Sequence, residues 1–462
     1  MQPSQSDLAA RSLRAVWHPC TQMKHHERTP LLPVARARGA WLYGPDGGRY
    51  LDGISSWWVN LFGHSHPAIN AAVADQMATL EHVMLAGCTH EPAVALAERL
   101  SALTGRTLGH AFFASDGASA VEIALKMSFH FWRNQGEAAK QEFVCIDNGY
   151  HGETLGALGV TDVALFRDAY GPLLRHAHRV ATPDARQAAP GESAADVATR
   201  ALADVSKLFE DRAGHLAAII VEPLVQCAAG MAMHDPEYLR GLRKLCDEHG
   251  VHLIADEIAV GFGRTGTFFA HEQAGIRPDF LCLSKGISGG YLPLSVVLST
   301  DRIHAAFYAD DLARGFLHSH SYTGNPLACR AALATLDLFD STDALVTNRK
   351  RFDSLEKALS PLAAHPHVAH LRRRGGILAF DVREEGSLVE GTSAEGRCAE
   401  RRPTDASFAR RYAANALAAG ALLRPIGQTV YLMPPYVLDE EEITLLADAT
   451  LTALAQTLES RT

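Results

Sequence analysis

The feature that most limits how this chain can fold is an alternation. Short apolar runs of strand length recur at His110–Ala114, Glu142–Asp147, Ala217–Val221, Val251–Ala255, Phe280–Leu283 and Leu294–Leu298. Helical periodicity separates several of them. In Ala118–Arg133, the residues Val121, Ala124, Leu125, Ser128 and Trp132 fall on one face. A second periodic stretch, Glu237–Glu248, follows Pro236. Apolar strands alternating with helices imply an α/β fold with a mostly parallel sheet covered on both sides.

The two ends of the chain read differently. Residues up to about 70 are rich in Gly, Pro and aromatics, with short strands. Beyond about 340, helices and strands surround Arg-rich and Gly-rich turns. The expected division is a large domain over 71–340 and a smaller α+β domain built from 1–70 and 341–462. Ala181–Ala195 and Glu384–Thr404 read as surface loops or insertions. The last helix should start near Asp439–Glu442, where acidic residues suit the positive helix end, and should bury Ile443, Leu446, Ala447 and Leu454.

Composition closes off several classes of function. The chain has 462 residues, 47% of them hydrophobic, which is too apolar for general disorder. A formal net charge of −9 gives no overall attraction to nucleic acid or anionic membrane. No apolar run approaches the roughly 20 residues of a membrane helix, and the first residues lack an apolar signal core. A cytoplasmic location is expected. Eight cysteines, Cys20, Cys88, Cys145, Cys227, Cys246, Cys282, Cys329 and Cys398, form no CxxC pair and read as reduced thiols, mostly in the core.

Four segments carry chemistry. Ser115-Asp116-Gly117-Ala118 joins a strand to a helix, where free N–H groups could hold a phosphate or simply be capped. In residues 253–266, Gly261, Gly263 and Gly266 fit G-x-G-x-x-G, yet Thr267-Phe268-Phe269 is no helix start, so the dinucleotide reading is weak. Asp256-Glu257 ends the apolar strand just before it. A carboxylate there could fix a protonated ring nitrogen or serve as a paired structural acid. Lys285 follows another apolar strand and precedes a glycine-rich turn. Desolvation there lowers a lysine pKa and frees the neutral amine for a Schiff base, whereas a solvent-reaching amine would be inert. His318 to Pro326 (HSHSYTGNP) leads into a helix and offers hydroxyls and N–H groups to a phosphate. The pairs His318/His320 and His64/His66 raise a metal alternative, but zinc needs three or four converging ligands. No metal is expected.

Taken in order, SDGASAVE, DEIAVGFGRTG, SKGISGG and HSHSYTGNP resemble the motifs of the fold-type I, class III aminotransferases, which use pyridoxal 5′-phosphate. The resemblance runs from Trp17 to Pro435. WHP near the start, SSWW at 55–58, GYHGET at 149–154 and LRPIGQTVYLMPPY at 423–436 are similar to a subgroup that acts in biotin biosynthesis. It implies amino transfer from S-adenosylmethionine to 8-amino-7-oxononanoate, giving 7,8-diaminononanoate by a ping-pong route. Alternatives are the same step with lysine as donor, or an ω-amino-acid:oxo-acid aminotransferase of the same fold.

The resemblance also implies roles. Lys285 is the catalytic, cofactor-bearing lysine and also contacts substrate. Asp256 pairs with the ring nitrogen, Gly117 and Ala118 bind phosphate, and Tyr150 stacks on the ring beside the substrate. His320 and Ser321 belong to a phosphate loop that serves the neighbouring subunit, so a homodimer with shared active sites is implied. Trp57, Ser319 and Arg424 are substrate positions, with Arg424 suited to a carboxylate. Cys20 stands where a tyrosine is common in the family, Glu153 where an aspartate is, and Ala259 where a glutamine is.

Overall fold

The computed structural model describes residues 5–27, 29–383 and 406–459. Glu384–Thr404 and Cys398 lie outside the described residues.

At its centre is a seven-stranded sheet of β1 (His110–Ala114), β2 (Glu142–Ile146), β3 (His178–Val180), β4 (Leu216–Val221), β5 (His252–Asp256), β6 (Phe280–Leu283) and β7 (Ser295–Ser299). Their spatial order is β1-β7-β6-β5-β4-β2-β3. The pairs β6–β5, β5–β4, β4–β2 and β2–β3 are parallel, while β7 runs antiparallel to both β6 and β1. One reversed strand therefore interrupts an otherwise parallel sheet. Every residue of β4, β5, β6 and β7 is buried, as a sheet covered on both faces requires. β3 is absent from the sequence expectation: His178-Arg179-Val180 is too short and polar to show a period, and it pairs only at the sheet edge.

The helices form where periodicity placed them. α1 (Gly117–Asn134) buries Val121, Ala124, Leu125, Ser128 and Trp132. Asp116 caps it by accepting from Ser119 N–H at 2.9 Å, an interaction worth about 1 kcal/mol. α2 (Pro236–His249) is capped by Asp235 and ends at Gly250, whose φ of +62° a side chain would disfavour. Helix Glu440–Glu459 buries Ile443, Leu446, Ala447 and Leu454.

Outside the central sheet, Arg49–Asp52 pairs in parallel with Ala421–Leu422, joining the two ends of the chain. Val368–Arg374, Ile377–Val382 and Thr429–Leu432 form a three-stranded antiparallel sheet. Part of the expected surface loop Ala181–Ala195 is docked. Arg186 donates to Asp184 at 2.7 Å and to Ala229 O at 3.0 Å, and Arg372 reaches Asp381 at 3.0 Å beside it. Paired charges let this polar segment be buried. Among the described cysteines, Cys145, Cys227, Cys246, Cys282 and Cys329 are buried, while Cys20 and Cys88 are exposed. Among the described residues no helix is long and apolar enough to cross a membrane.

Candidate active site

Parallel strands deliver their carboxyl ends to one rim, the usual ligand side of an open α/β sheet. A cleft of about 600 Å³ opens there. β1 leads into Ser115–Ala118, β2 into Tyr150 and His151, β4 into Glu222, β5 into Asp256 and β6 into Lys285, and all of these line the cleft. Asp256 and Cys282 are register partners, so Lys285 follows on the neighbouring strand three residues beyond the level of the carboxylate.

The Lys285 amine makes no hydrogen bond among the described residues and lies 5.2 Å from the centre of the Trp58 ring. Burial lowers its pKa below the ordinary lysine value, and the nearby Asp256 opposes that shift. Asp256 is buried, with one oxygen 2.7 Å from His151 Nδ1 and the other accepting from Ile258 N–H at 3.1 Å. Glu222, not among the residues singled out from the sequence, belongs to the wall. Its two oxygens accept from Tyr150 N–H at 3.0 Å and Cys227 N–H at 3.1 Å. Burial, reinforced by Asp256, pushes its carboxyl up to about 7. Glu222 had a usable signal, since it stands just past an apolar run as Asp256 does; His151, five residues beyond Ile146, had none.

Close backbone approach shapes the phosphate end. A Cβ on Gly117 would sit 3.0 Å from the Ile258 side chain. At Gly152, φ is +122° and a Cβ would lie 2.5 Å from that of Ala118. Small residues thus leave the start of α1 open, where unpaired N–H groups and the helix dipole favour an anion. A lysine, a carboxylate, an aromatic ring and an anion cradle meet in one cleft, and this donor set fits pyridoxal phosphate.

The outer wall is built differently. Trp57, 42% exposed, lines the mouth, and the Arg424 guanidinium lies 4.5 Å from the centre of its ring. Arg424 itself is not part of the cleft lining and donates to Cys20 O at 3.3 Å. Tyr150 donates from its hydroxyl to Glu153 at 3.0 Å, and the Cys20 thiol lies 3.8 Å from the same oxygen. Ser319, His320 and Ser321 do not line this cleft, although His320 Nδ1 is 3.5 Å from Ser115 Oγ, which does. Trp58, next to Trp57 in sequence, both packs and lines the site. It is buried, donates to Tyr431 OH at 3.1 Å, and lines the cleft beside Lys285.

The glycine motif has another use. Glu257 is a structural acid that accepts from Ala270 N–H at 2.6 Å and His271 N–H at 2.8 Å. A short 3-10 turn, Ala270–Ala274, follows the glycines where a dinucleotide site needs an α-helix. Arg264, inside the motif, is 1% exposed and donates to the carbonyls of Pro434, Trp58 and Asn60 at 3.0, 3.2 and 2.9 Å. The histidine pairs also find other roles. His64 meets Asp52 at 3.0 Å and His66 caps Ala68. Among the described residues no group of three or more His, Cys, Asp or Glu is placed to hold a metal.

The Trp57 segment has unusual backbone. Ser55, Ser56, Trp57 and Trp58 have φ of +52°, +46°, +72° and +72°. Left-handed geometry costs about 1 to 2 kcal/mol for each such residue. Bonds from Trp58 N–H to Ile54 O and from Val59 N–H to Ser55 O close the turn.

Known proteins share this architecture. The class III aminotransferase family pattern matches residues 22–454. The adenosylmethionine-8-amino-7-oxononanoate aminotransferase of Helicobacter pylori is 43% identical over 446 residues, covering 95% of each chain. The crystal structure of the enzyme of that name from Methanocaldococcus jannaschii superposes with a TM-score of 0.89 at 33% identity, covering 98% of this chain and 99% of that one. A PLP-bound amine transaminase from an uncultivated Pseudomonas species gives a TM-score of 0.87 at 32% identity, with 96% and 99% covered. With a match over nearly its whole length and a cleft suited to the cofactor, the chain belongs to the class III aminotransferases and is a PLP-dependent transaminase of fold type I.

Proposed function

We propose that this transaminase moves an amino group from S-adenosylmethionine to 8-amino-7-oxononanoate, yielding 7,8-diaminononanoate in biotin biosynthesis. The observation that carries this reading is the cleft: Lys285 and Asp256 at its floor and Trp57 at its mouth, with Arg424 resting on that ring just outside the lining. Relatives bearing the corresponding name, at 37 to 43% identity, favour it over an ω-amino-acid:oxo-acid aminotransferase.

Lys285 would anchor the cofactor, Asp256 would face the ring nitrogen, Tyr150 would flank the ring, and Gly117 and Ala118 N–H groups would meet the phosphate. Pyridoxal phosphate, when bound, supplies the electron sink. The chain's own task is to place groups and move a proton. Lowered pKa leaves more of Lys285 neutral, so Nζ can take the proton from the donor α-carbon and return it as an acid. Asp256, oriented by His151, offers a carboxylate to a cationic ring N–H. Glu222 fixes the Tyr150 backbone. Arg424 would pair with the carboxylate of the oxo acid, and Trp57 would pack on its chain.

A homodimer is part of this reading. Ser319 and Ser321 are exposed and outside this chain's own cleft, which supports their serving, with His320, a second copy. An active monomer in sedimentation would contradict it. The small domain, 1–70 with 341–462, is supported by the pairing of Arg49–Asp52 with Ala421–Leu422. Donor choice is tested by half-reaction spectroscopy. Bleaching of the cofactor band by S-adenosylmethionine is expected; bleaching by lysine alone would reverse the assignment.

A further inference from the structure

Four consecutive residues with positive φ and no glycine, Ser55 to Trp58, stand at the mouth of the cleft. L-residues avoid this region because Cβ crowds the following carbonyl, so such a run persists only where its surroundings over-determine it. Two buried side chains do that here. Asp52, fully buried, accepts from Ser56 N–H at 2.9 Å with one oxygen, and from Ser56 Oγ–H at 2.7 Å with the other. His64 Nε2 lies 3.0 Å from that second oxygen. On the exit side, Arg264 donates to Trp58 O and Asn60 O and has no carboxylate partner among the described residues. The entry of the turn is thus gripped by a carboxylate and its exit by a guanidinium.

We propose that Asp52 is a positioning residue for the reaction. Its carboxylate, opposed by Arg264, locks Ser55–Trp58 in left-handed form and so fixes where Trp57 meets the amino acceptor. Arg424 rests over the Trp57 ring, so the same lock also sets the guanidinium. The inference rests on the reading of Trp57 as a substrate wall. Lys285 and Asp256 stand on the sheet rather than on this turn, and Trp58, the one turn residue beside the Lys285 amine, is held separately by its bond to Tyr431, so a loosened turn falls chiefly on acceptor binding.

The test uses the holoenzyme and two readouts, amide hydrogen exchange over residues 55–60 and steady-state kinetics. In Asp52→Asn, exchange there and KM for 8-amino-7-oxononanoate should each rise about tenfold or more, the scale of a hydrogen bond to a charged group, with kcat within about threefold. Adding Ser56→Gly should restore both, because glycine takes positive φ without strain. A structural defect unrelated to the turn's handedness gains nothing from that glycine. Unchanged exchange and KM in Asp52→Asn, or no rescue in the double variant, would overturn the proposal. Should Asp52→Asn fail to fold, Ser56→Ala, which removes one bond to Asp52, must raise exchange over the same residues; wild-type exchange there would be equally fatal. If the wild type ignores 8-amino-7-oxononanoate, the substrate assignment fails, while exchange, read without substrate, and KM for whichever acceptor it does use still decide the role of Asp52.

Discussion

The inner and outer halves of the cleft follow different building rules. The inner half sits on the central sheet. Asp256 ends a fully buried strand, Glu222 and Lys285 follow others by one and two residues, and the register of β5 against β6 sets Asp256 level with Cys282. The outer half consists of Cys20, Trp57 and Glu153, with Arg424 just outside it against the Trp57 ring, exposed groups on irregular segments drawn from widely separated parts of the chain. Rigid placement suits proton transfer, which tolerates little displacement. An open, adjustable mouth suits a site that must admit two unlike substrates in turn. Loss in the inner half should therefore fall on the chemical step, and loss in the outer half on binding.

The largest effect is expected from Lys285→Ala. Removing the one lysine amine that lines the cleft among the described residues should lower transamination by about 10⁴-fold in single-turnover assays. Asp256→Asn keeps the shape but loses the anion, and should lower kcat by about 10²- to 10³-fold. An Asp256→Asn effect confined to KM would erase the proposed contrast.

Glu222 sharpens it through stability. Its folded-state pKa of about 7 exceeds the ordinary 4.5, so between these values the folded protein holds a proton that the unfolded chain has released. The stability this contributes is complete below about pH 4.5 and is lost as pH rises through about 7, by as much as about 3 kcal/mol. Glu222→Gln lacks that slope. Denaturant unfolding of apoprotein and variant at about pH 5 and about pH 8 checks it: the variant should gain relative to wild type at the higher pH. A constant difference would contradict the buried carboxyl.

Effects at the mouth are smaller. Arg424→Ala should raise KM for the acceptor by about 30-fold with kcat nearly unchanged. At Cys20, burial and the adjacent Glu153 raise the thiol pKa, so less thiolate is present and alkylation should be slow for an exposed cysteine. Glu153→Gln should speed iodoacetamide labelling of Cys20, measured by mass spectrometry; an unchanged rate would show that the carboxylate does not govern the thiol.

The same contrast explains what could be read in advance. Six of the seven strands are legible as apolar runs, β4 to β7 because they are buried throughout and β1 and β2 because their carboxyl ends are, and the chemical residues beyond them stand out against that background. His178–Val180, an edge strand, carries no such pattern. Asp256 and His151 are 105 positions apart, and only the folded sheet makes them partners. The left-handed turn at SSWW could not be foreseen, because serine and tryptophan give no hint of positive φ; Asp52 holds it from four residues before Ser56, and Arg264 from 206 residues beyond Trp58. GFGRTG fits the dinucleotide pattern only weakly in the sequence, and in the fold its arginine serves that turn.

One measurement reaches the central claim, that the sheet rim presents a single reactive amine to the cofactor. Borohydride reduction of the holoprotein followed by peptide mapping should place the pyridoxyl adduct on the peptide containing Lys285. An adduct on any other peptide, or none, would contradict the account.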